Sequence, residues 1–267
     1  TMQSLGLPTF DLSLGAIGVR AADGSRAEIR WLLGFTRDCG YRAIQINAAD
    51  PLTRPRELTR SGRRDLAAHL RRNELTCSGV DLWIPRSHFT DPAKSDHVAS
   101  TLLGAVEFTA DLADLTGGHR VLSTAFPTSG GEEIRNAVID RALSQNVQVA
   151  DHQYPWSEEI DGAGPLRIGI DPAAVILAGA DAAEAVSRAS TTGLLAAVRL
   201  SDLAASGRVV PGEGSLVDLS FRVAVATSGY QGPLVVDLRG LPPGEESGGQ
   251  LHTAYKLFEG FAHKPRK

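Results

Sequence analysis

A single closed (β/α)8 TIM barrel over residues 1–267 is the fold that this sequence predicts. Short apolar runs alternate with amphipathic stretches along the chain, which is the sequence form of repeated βα units. Eight such apolar runs can be counted. No linker or change of composition divides them, and 267 residues suit one α/β barrel of about 250.

The first strand is read at Leu12–Val19, followed by a helix at Arg26–Asp38. A doubly wound open sheet would carry a glycine-rich phosphate turn here, but LGAIGV at 14–19 has neither GxGxxG nor Walker spacing. The second strand, Arg42–Asn47, precedes a helix at Gly62–Asn73, and the third, Cys77–Ile84, precedes a long helix at Lys94–Leu115. Arg120–Thr124 and the helix Glu132–Gln145 form the fourth unit. The fifth strand, Val147–Ala150, leads into a Gly-, Pro- and acid-rich stretch, so the fifth helix is expected to shrink to a turn around Ser157–Ile160. Strands at Arg167–Ile170, Ala196–Leu200 and Leu234–Leu238 complete the ring, with helices at Asp181–Ala189, Val217–Ser228 and Gln250–Phe261. Gly40, Asn146 and Gly229 follow helices, where a left-handed C-terminal cap is favoured. LPPGEESGG at 241–249 reads as a loop over the last strand, and 263–267 as a basic tail.

Composition narrows the function classes. A net charge of −4 argues against nucleic acid as a partner, since affinity there comes from a basic face. No apolar run nears the roughly 20 residues of a membrane span, so no membrane partner is expected. No signal peptide is read, and two widely spaced cysteines, Cys39 and Cys77, match no metal or redox motif. Both are expected in packing roles, in a reduced cytoplasmic setting. A small-molecule ligand is the expected partner, with a homodimer left open.

In a barrel of this kind chemistry gathers at the C-terminal strand ends, which converge on one mouth. Alternation puts Gln45 and Asn47 on one face of the second strand, Arg199 and Ser201 on one face of the seventh, and Asp237 and Arg239 together on the eighth. Asp171 closes the sixth strand, Asp151-His152 the fifth, and Asp81 to Pro85 with Trp83 the third, before a loop with Arg86 and His88. Asp171-Pro172 also reads as a helix start, Asp as N-cap and Pro at the first helical position, and Asp202 as a loop brace.

Several segments resemble one family. VRLSD at 198–202, Gly207-Arg208, PGEG at 211–214, Asp218, SGYQG at 228–232 and VVD at 235–237 resemble the C-terminal third of the xylose isomerase-like barrels, the sugar phosphate isomerase/epimerase superfamily. GYRAIQI at 40–46 is similar to that family's second strand, and IGIDP at 168–172 to its sixth. The resemblance implies a divalent metal (Mn, Mg or Zn) at the mouth, held by Glu, Asp, His and Glu from strands five to eight, with a further Glu on strand two. Carried over by position, those places fall on Ala150, Asp171, Arg199, Asp237 and Gln45. An arginine cannot ligate a metal and its fixed charge opposes one nearby, so no tightly bound metal is expected.

What the resemblance then implies is a divergent isomerase or epimerase for a sugar, sugar acid or cyclitol, working by proton transfer next to a carbonyl. Asp237 is expected as base or acid, Arg199 as electrophile in the cation's place, and Asp171 as the group orienting Arg199 or substrate. Gln45, Trp83, His88, His152, Arg208 and Arg239 are expected to contact substrate. Asp171 and Asp237, from the strands flanking the seventh, are the expected partners of a buried Arg199. The same substitutions also fit a non-catalytic sugar-binding or partner subunit. An apurinic-site endonuclease, which shares this barrel, would need metal-binding His and Glu residues that this rim lacks.

Overall fold

The chain runs β1 (Leu12–Gly15), α1 (Ile29–Asp38), β2 (Ala43–Asn47), α2 (Arg60–Arg72), β3 (Thr76–Asp81), α3 (Ser87–Thr90), α4 (Ser95–Thr116), β4 (Val121–Thr124) and α5 (Glu132–Ser144). It continues through β5 (Gln148–Asp151), β6 (Leu166–Ile170), α6 (Pro172–Leu177), α7 (Ala182–Thr191), β7 (Leu195–Leu200), β8 (Asp202–Ala204), β9 (Gly207–Val209), α8 (Asp218–Thr227) and β10 (Leu234–Val236). This is a computed structural model, and it describes residues 10–16, 19, 28–157, 160–239 and 255–256. Eight strands close in the order β1-β10-β7-β6-β5-β4-β3-β2, and the neighbours pair in parallel. The architecture is the α/β barrel that the alternation predicts.

Parallel strands covered by helices are buried on both faces, so they read as continuous apolar runs. Leu12, Ile44, Val80, Leu122, Val149, Ile168, Val198 and Val236 are all buried. Thr59 caps α2 by accepting from the Gly62 N–H, and Asp181 caps α7 by accepting from that of Glu184. Gly40, Asn146 and Gly229 all have positive φ, as their places after helices require. Cys39 caps the end of α1 and Cys77 is buried in β3.

Three strands end earlier than the apolar pattern suggests. β1 stops at Gly15, β3 at Asp81 and β10 at Val236, yet Val19, Leu82 and Leu238 beyond them are buried. Those three side chains pack on the core without pairing in the sheet. Two features are not read from the sequence, the antiparallel β8–β9 hairpin and the short helix α3, whereas α6 begins at Pro172, where Asp171-Pro172 reads as a helix start. Between Asp151 and Leu166 no helix occurs among the described residues; the turn expected there includes 158 and 159, outside them. The 241–249 loop, the tail and most of the last helix also lie outside, though Tyr255 and Lys256 are helical. No helix among the described residues is long and apolar enough to cross a membrane.

Candidate functional site

Register decides which strand-end residues enter the barrel. Gly15 pairs with Gln45, Ser123 with Ala150, and Val235 with Arg199, so each pair shares a face. Gln45 donates from Nε2 to Ser123 Oγ at 3.2 Å, and its Oε1 accepts from Arg199 Nη2, which fixes that face as the lumen. Ala150 therefore faces inward and Asp151 is out of phase. The Asp151 Oδ1 accepts instead from the Phe126 and Gln153 N–H groups, bracing the loop after β4.

Arg199 is the centre of the lumen, with its side chain 1% exposed. Its guanidinium meets Asp81 at 3.1 Å and Asp237 at 3.1 Å. The pairing inferred from strand order is thus half corrected. Asp237 is a partner, but the second carboxylate comes from β3 across the barrel, whereas Asp171 binds Arg208 and Arg239. Asp171 and Asp237 both follow strands beside β7, but Arg208 and Arg239 take up the Asp171 carboxylate, and Arg199 finds its second acid on the opposite wall. The sequence places Asp81 at the end of the third strand but assigns it no role, since the apolar run continues to Ile84; in the structure it closes β3 as Asp171 and Asp237 follow β6 and β10.

Above Arg199 lie two more arginines. Arg239 grips Asp237 through Nε at 2.8 Å and Nη2 at 2.5 Å, and reaches Asp171 at 2.7 Å. Arg208, on the unanticipated hairpin, bridges Asp171 and Asp237, the latter at 3.5 Å. Three carboxylates and three guanidiniums so form one connected, charge-balanced network. Its depth is graded: Arg208 and Arg239 are 23% and 14% exposed, against 1% for Arg199. Trp83 backs the network, with the Arg239 guanidinium 3.4 Å and that of Arg199 4.8 Å from its ring centre. His152 lies against Trp83 and its Nε2 is 3.2 Å from Ser123 Oγ. Only glycine fits at 169, since a Cβ there would lie 2.6 Å from the imidazole.

The acids are driven apart by their surroundings. Burial raises Asp171, but Arg239 and Arg208 outweigh it and hold the carboxyl at about 2. Burial likewise opposes Arg239 and Arg199 at Asp237, and again the arginines win, keeping it well below the usual range. For Asp81 burial prevails over Arg199, so its pKa is raised. Burial, then Arg199, push His152 well below its ordinary value, so it is neutral at pH 7. Among buried polar atoms, Asp81 Oδ1 and His152 Nδ1 have no hydrogen-bond partner.

The helix-start reading of Asp171 is corrected in part. It occupies the N-cap position of α6, with Pro172 next, but its side chain makes no cap bond. Ser201 Oγ donates to one of its oxygens at 2.6 Å, while the Ala173 N–H donates to Ser201 Oγ. Asp202 is the loop brace expected, accepting from the N–H groups of Leu203, Gly212, Gly214 and Leu216. The PGEG segment is therefore an anchor for the loop behind Arg208. The GYQG segment is another: Tyr230 donates to Pro233 O and its ring covers Gly232, where a Cβ would collide. Of the nine residues singled out from sequence, eight lie in or against this cluster. His88, on α3, lies apart on a cavity that Trp83 also lines.

No family model and no curated protein matches the chain. Solved structures do. A xylose isomerase domain protein from Planctomyces limnophilus superposes with a TM-score of 0.72 at 16% identity, covering 95% of this chain and 97% of that one. A D-allulose 3-epimerase from Methylomonas sp. gives 0.67 at 17%, covering 96% and 99%. An IOLI protein with a bound zinc atom gives 0.69 at 15%, covering 95% and 100%. What is shared at such identities is the fold, and the chain has the xylose isomerase-like TIM barrel fold.

That fold implies a metal, and the donors present do not fit one. No three His, Cys, Asp or Glu side chains gather for a cation among the described residues. Asp171 and Asp237 direct their oxygens at guanidiniums, and the buried charge of Arg199 would repel a cation beside it.

Proposed function

We propose that the barrel is an isomerase or epimerase for a small sugar-like anion, a sugar acid, sugar phosphate or cyclitol derivative, working without a divalent cation. The observation that carries this reading is the arginine cluster, in which a buried Arg199 stands below two arginines that reach solvent. Paired guanidiniums suit carboxylate, phosphate or vicinal oxygens, and Arg208 and Arg239 are the two within a ligand's reach. Arg199 supplies a fixed positive charge beneath them, where an enediolate oxygen would develop.

Proton transfer needs a base, and Asp237 is a poor one while three arginines hold it. A ligand anion that draws Arg239 and Arg208 onto itself removes two of those charges, and the Asp237 pKa then rises. Asp237 takes the proton from the carbon next to the carbonyl, and the electron pair moves to the carbonyl oxygen. Returning the proton to the former carbonyl carbon, while the adjacent hydroxyl passes its proton to the first carbonyl oxygen, completes an isomerisation; giving a proton to the original carbon from the opposite face completes an epimerisation. Burial, Arg199 and Arg239 hold His152 neutral in the free protein; as the ligand anion offsets the arginine charge, His152 takes a proton from solvent and is then the candidate donor on the second face.

A non-catalytic sugar-binding subunit is the second reading, favoured by the saturation of Asp171 and Asp237 with arginine contacts. Proton NMR in D2O separates the two. The protein is incubated with aldoses, ketoses, their phosphates and uronates, and loss of a C–H signal beside the carbonyl is followed. The catalytic reading expects exchange in at least one compound, abolished in Asp237→Asn. Binding without exchange in any of them would favour the subunit reading, and neither binding nor exchange would overturn both.

A further inference from the structure

Beside the mouth, between the segments after β2 and β3 and the flank of α4, lies a cavity of about 460 Å³. That size is ordinary for a small-molecule site. Its walls are largely apolar, with Leu82, Ile84, Pro55 and Val98 among them, and the Ser100 and Thr101 hydroxyls on it already donate to the His97 carbonyl. The charge on the lining has one sign: Arg54 and Arg56 stand on it, with His88 and His97, and no carboxylate does. Glu57, off the lining, lies 4.0 Å from Arg54 and 3.2 Å from Arg56, so one acid serves two guanidiniums. Trp83 is the wall shared with the arginine cluster.

We propose that this cavity is a second ligand site, which takes a small anion with an apolar body, an aromatic or alicyclic carboxylate or phosphate ester. The apolar body leaves water against Trp83, Ile84 and Pro85, and the anion meets the positive charge at Arg54 and Arg56, which share one carboxylate. A ligand made only of hydroxyls gains little from such walls. Recognition here does not depend on proton transfer at the mouth.

Gly104 supplies the test. It lies on α4 in the lining, and a Cβ built on it meets only Pro55 Cβ, at 4.0 Å. Gly104→Leu therefore fills the cavity without backbone strain, in a helix that favours leucine over glycine. Phenylacetate, cyclohexanecarboxylate and phenyl phosphate are titrated calorimetrically, with phenylacetamide as the neutral control. Binding to wild type with Kd of about 1 mM or tighter is expected, weakened about tenfold or more for the amide and in Gly104→Leu. Thr101→Leu, also on the lining, is the substitute if Gly104→Leu does not fold. Titration of Gly104→Leu with sugar acids reports the mouth separately. No binding of any probe by wild type, equal binding of the amide, or full binding by the filled variant would each overturn the proposal.

Discussion

Arg199, on β7, meets Asp81, on β3, at 3.1 Å across the full width of the barrel. Four strand steps separate β7 from β3 in either direction around the ring, so the pair is a crossbar between opposite walls. Neither side chain is more than 1% exposed. A buried pair of this kind is costly to break and cheap to replace as a unit, and the site depends on that asymmetry.

Removing one end of the crossbar should therefore be severe. Arg199→Met leaves Asp81 and Asp237 buried with reduced compensation, at a cost of about 3–5 kcal/mol. Arg199→Met with Asp81→Leu should recover a large part of it, because Asp237 keeps Arg208 and Arg239. Urea unfolding of the three proteins at pH 7 measures this. A double variant no better than the single one would show that the crossbar is not a unit.

Asp151 should be a liability at neutral pH. Burial raises its carboxyl from 3.8 to about 6, so the folded state holds a proton that the unfolded chain has released between those values. Stability therefore falls as pH rises from about 4 through about 6, by roughly 2–3 kcal/mol. Both backbone donors use Oδ1, which Asp151→Asn retains. The variant should unfold later than wild type at pH 7.5 and match it near pH 4; a difference that persists at pH 4 would contradict the assignment.

Asp171 acts with the opposite sign. Its folded pKa of about 2 lies below the ordinary 3.8, so its contribution is complete above pH 4 and is lost as pH falls toward 2. Asp171→Asn should cost about 2 kcal/mol at pH 7 and flatten the acid limb in that window. Chemical denaturation from pH 5 to pH 2 gives both quantities.

Asp202→Ala should loosen the support of Arg208 without touching the network directly. Four backbone N–H groups lose their acceptor, which costs about 2–4 kcal/mol. Amide hydrogen exchange should speed up over 203–216 while the barrel strands stay protected. Unchanged protection of that loop would mean that water replaces the carboxylate fully.

Much of this barrel was legible because burial on both faces leaves a composition signal that survives local irregularity. Strand ends were less so: Leu82 and Leu238 extend the apolar pattern into loops that pack on the core. That extension leaves Asp81 without an assigned role, and Arg199 without its second partner. The inward positions of Gln45, Arg199 and Asp237 followed from alternation, but which carboxylate Arg199 meets depends on barrel closure, which no local pattern encodes. The hairpin that delivers Arg208 gave little signal, since each of its strands has only three residues. PGEG and GYQG, the most recognisable motifs, carry loop anchoring rather than chemistry.

The most direct test of the account is a thermal-shift titration of chelator-treated protein with uronates and sugar phosphates, repeated after adding Mn²⁺, Mg²⁺ or Zn²⁺. If the arginine cluster stands in the cation's place, at least one anion stabilises the metal-free protein, added metal changes nothing, and Arg208→Ala weakens the effect about tenfold or more. Stabilisation that appears only with added metal, or that persists undiminished in Arg208→Ala, would contradict it.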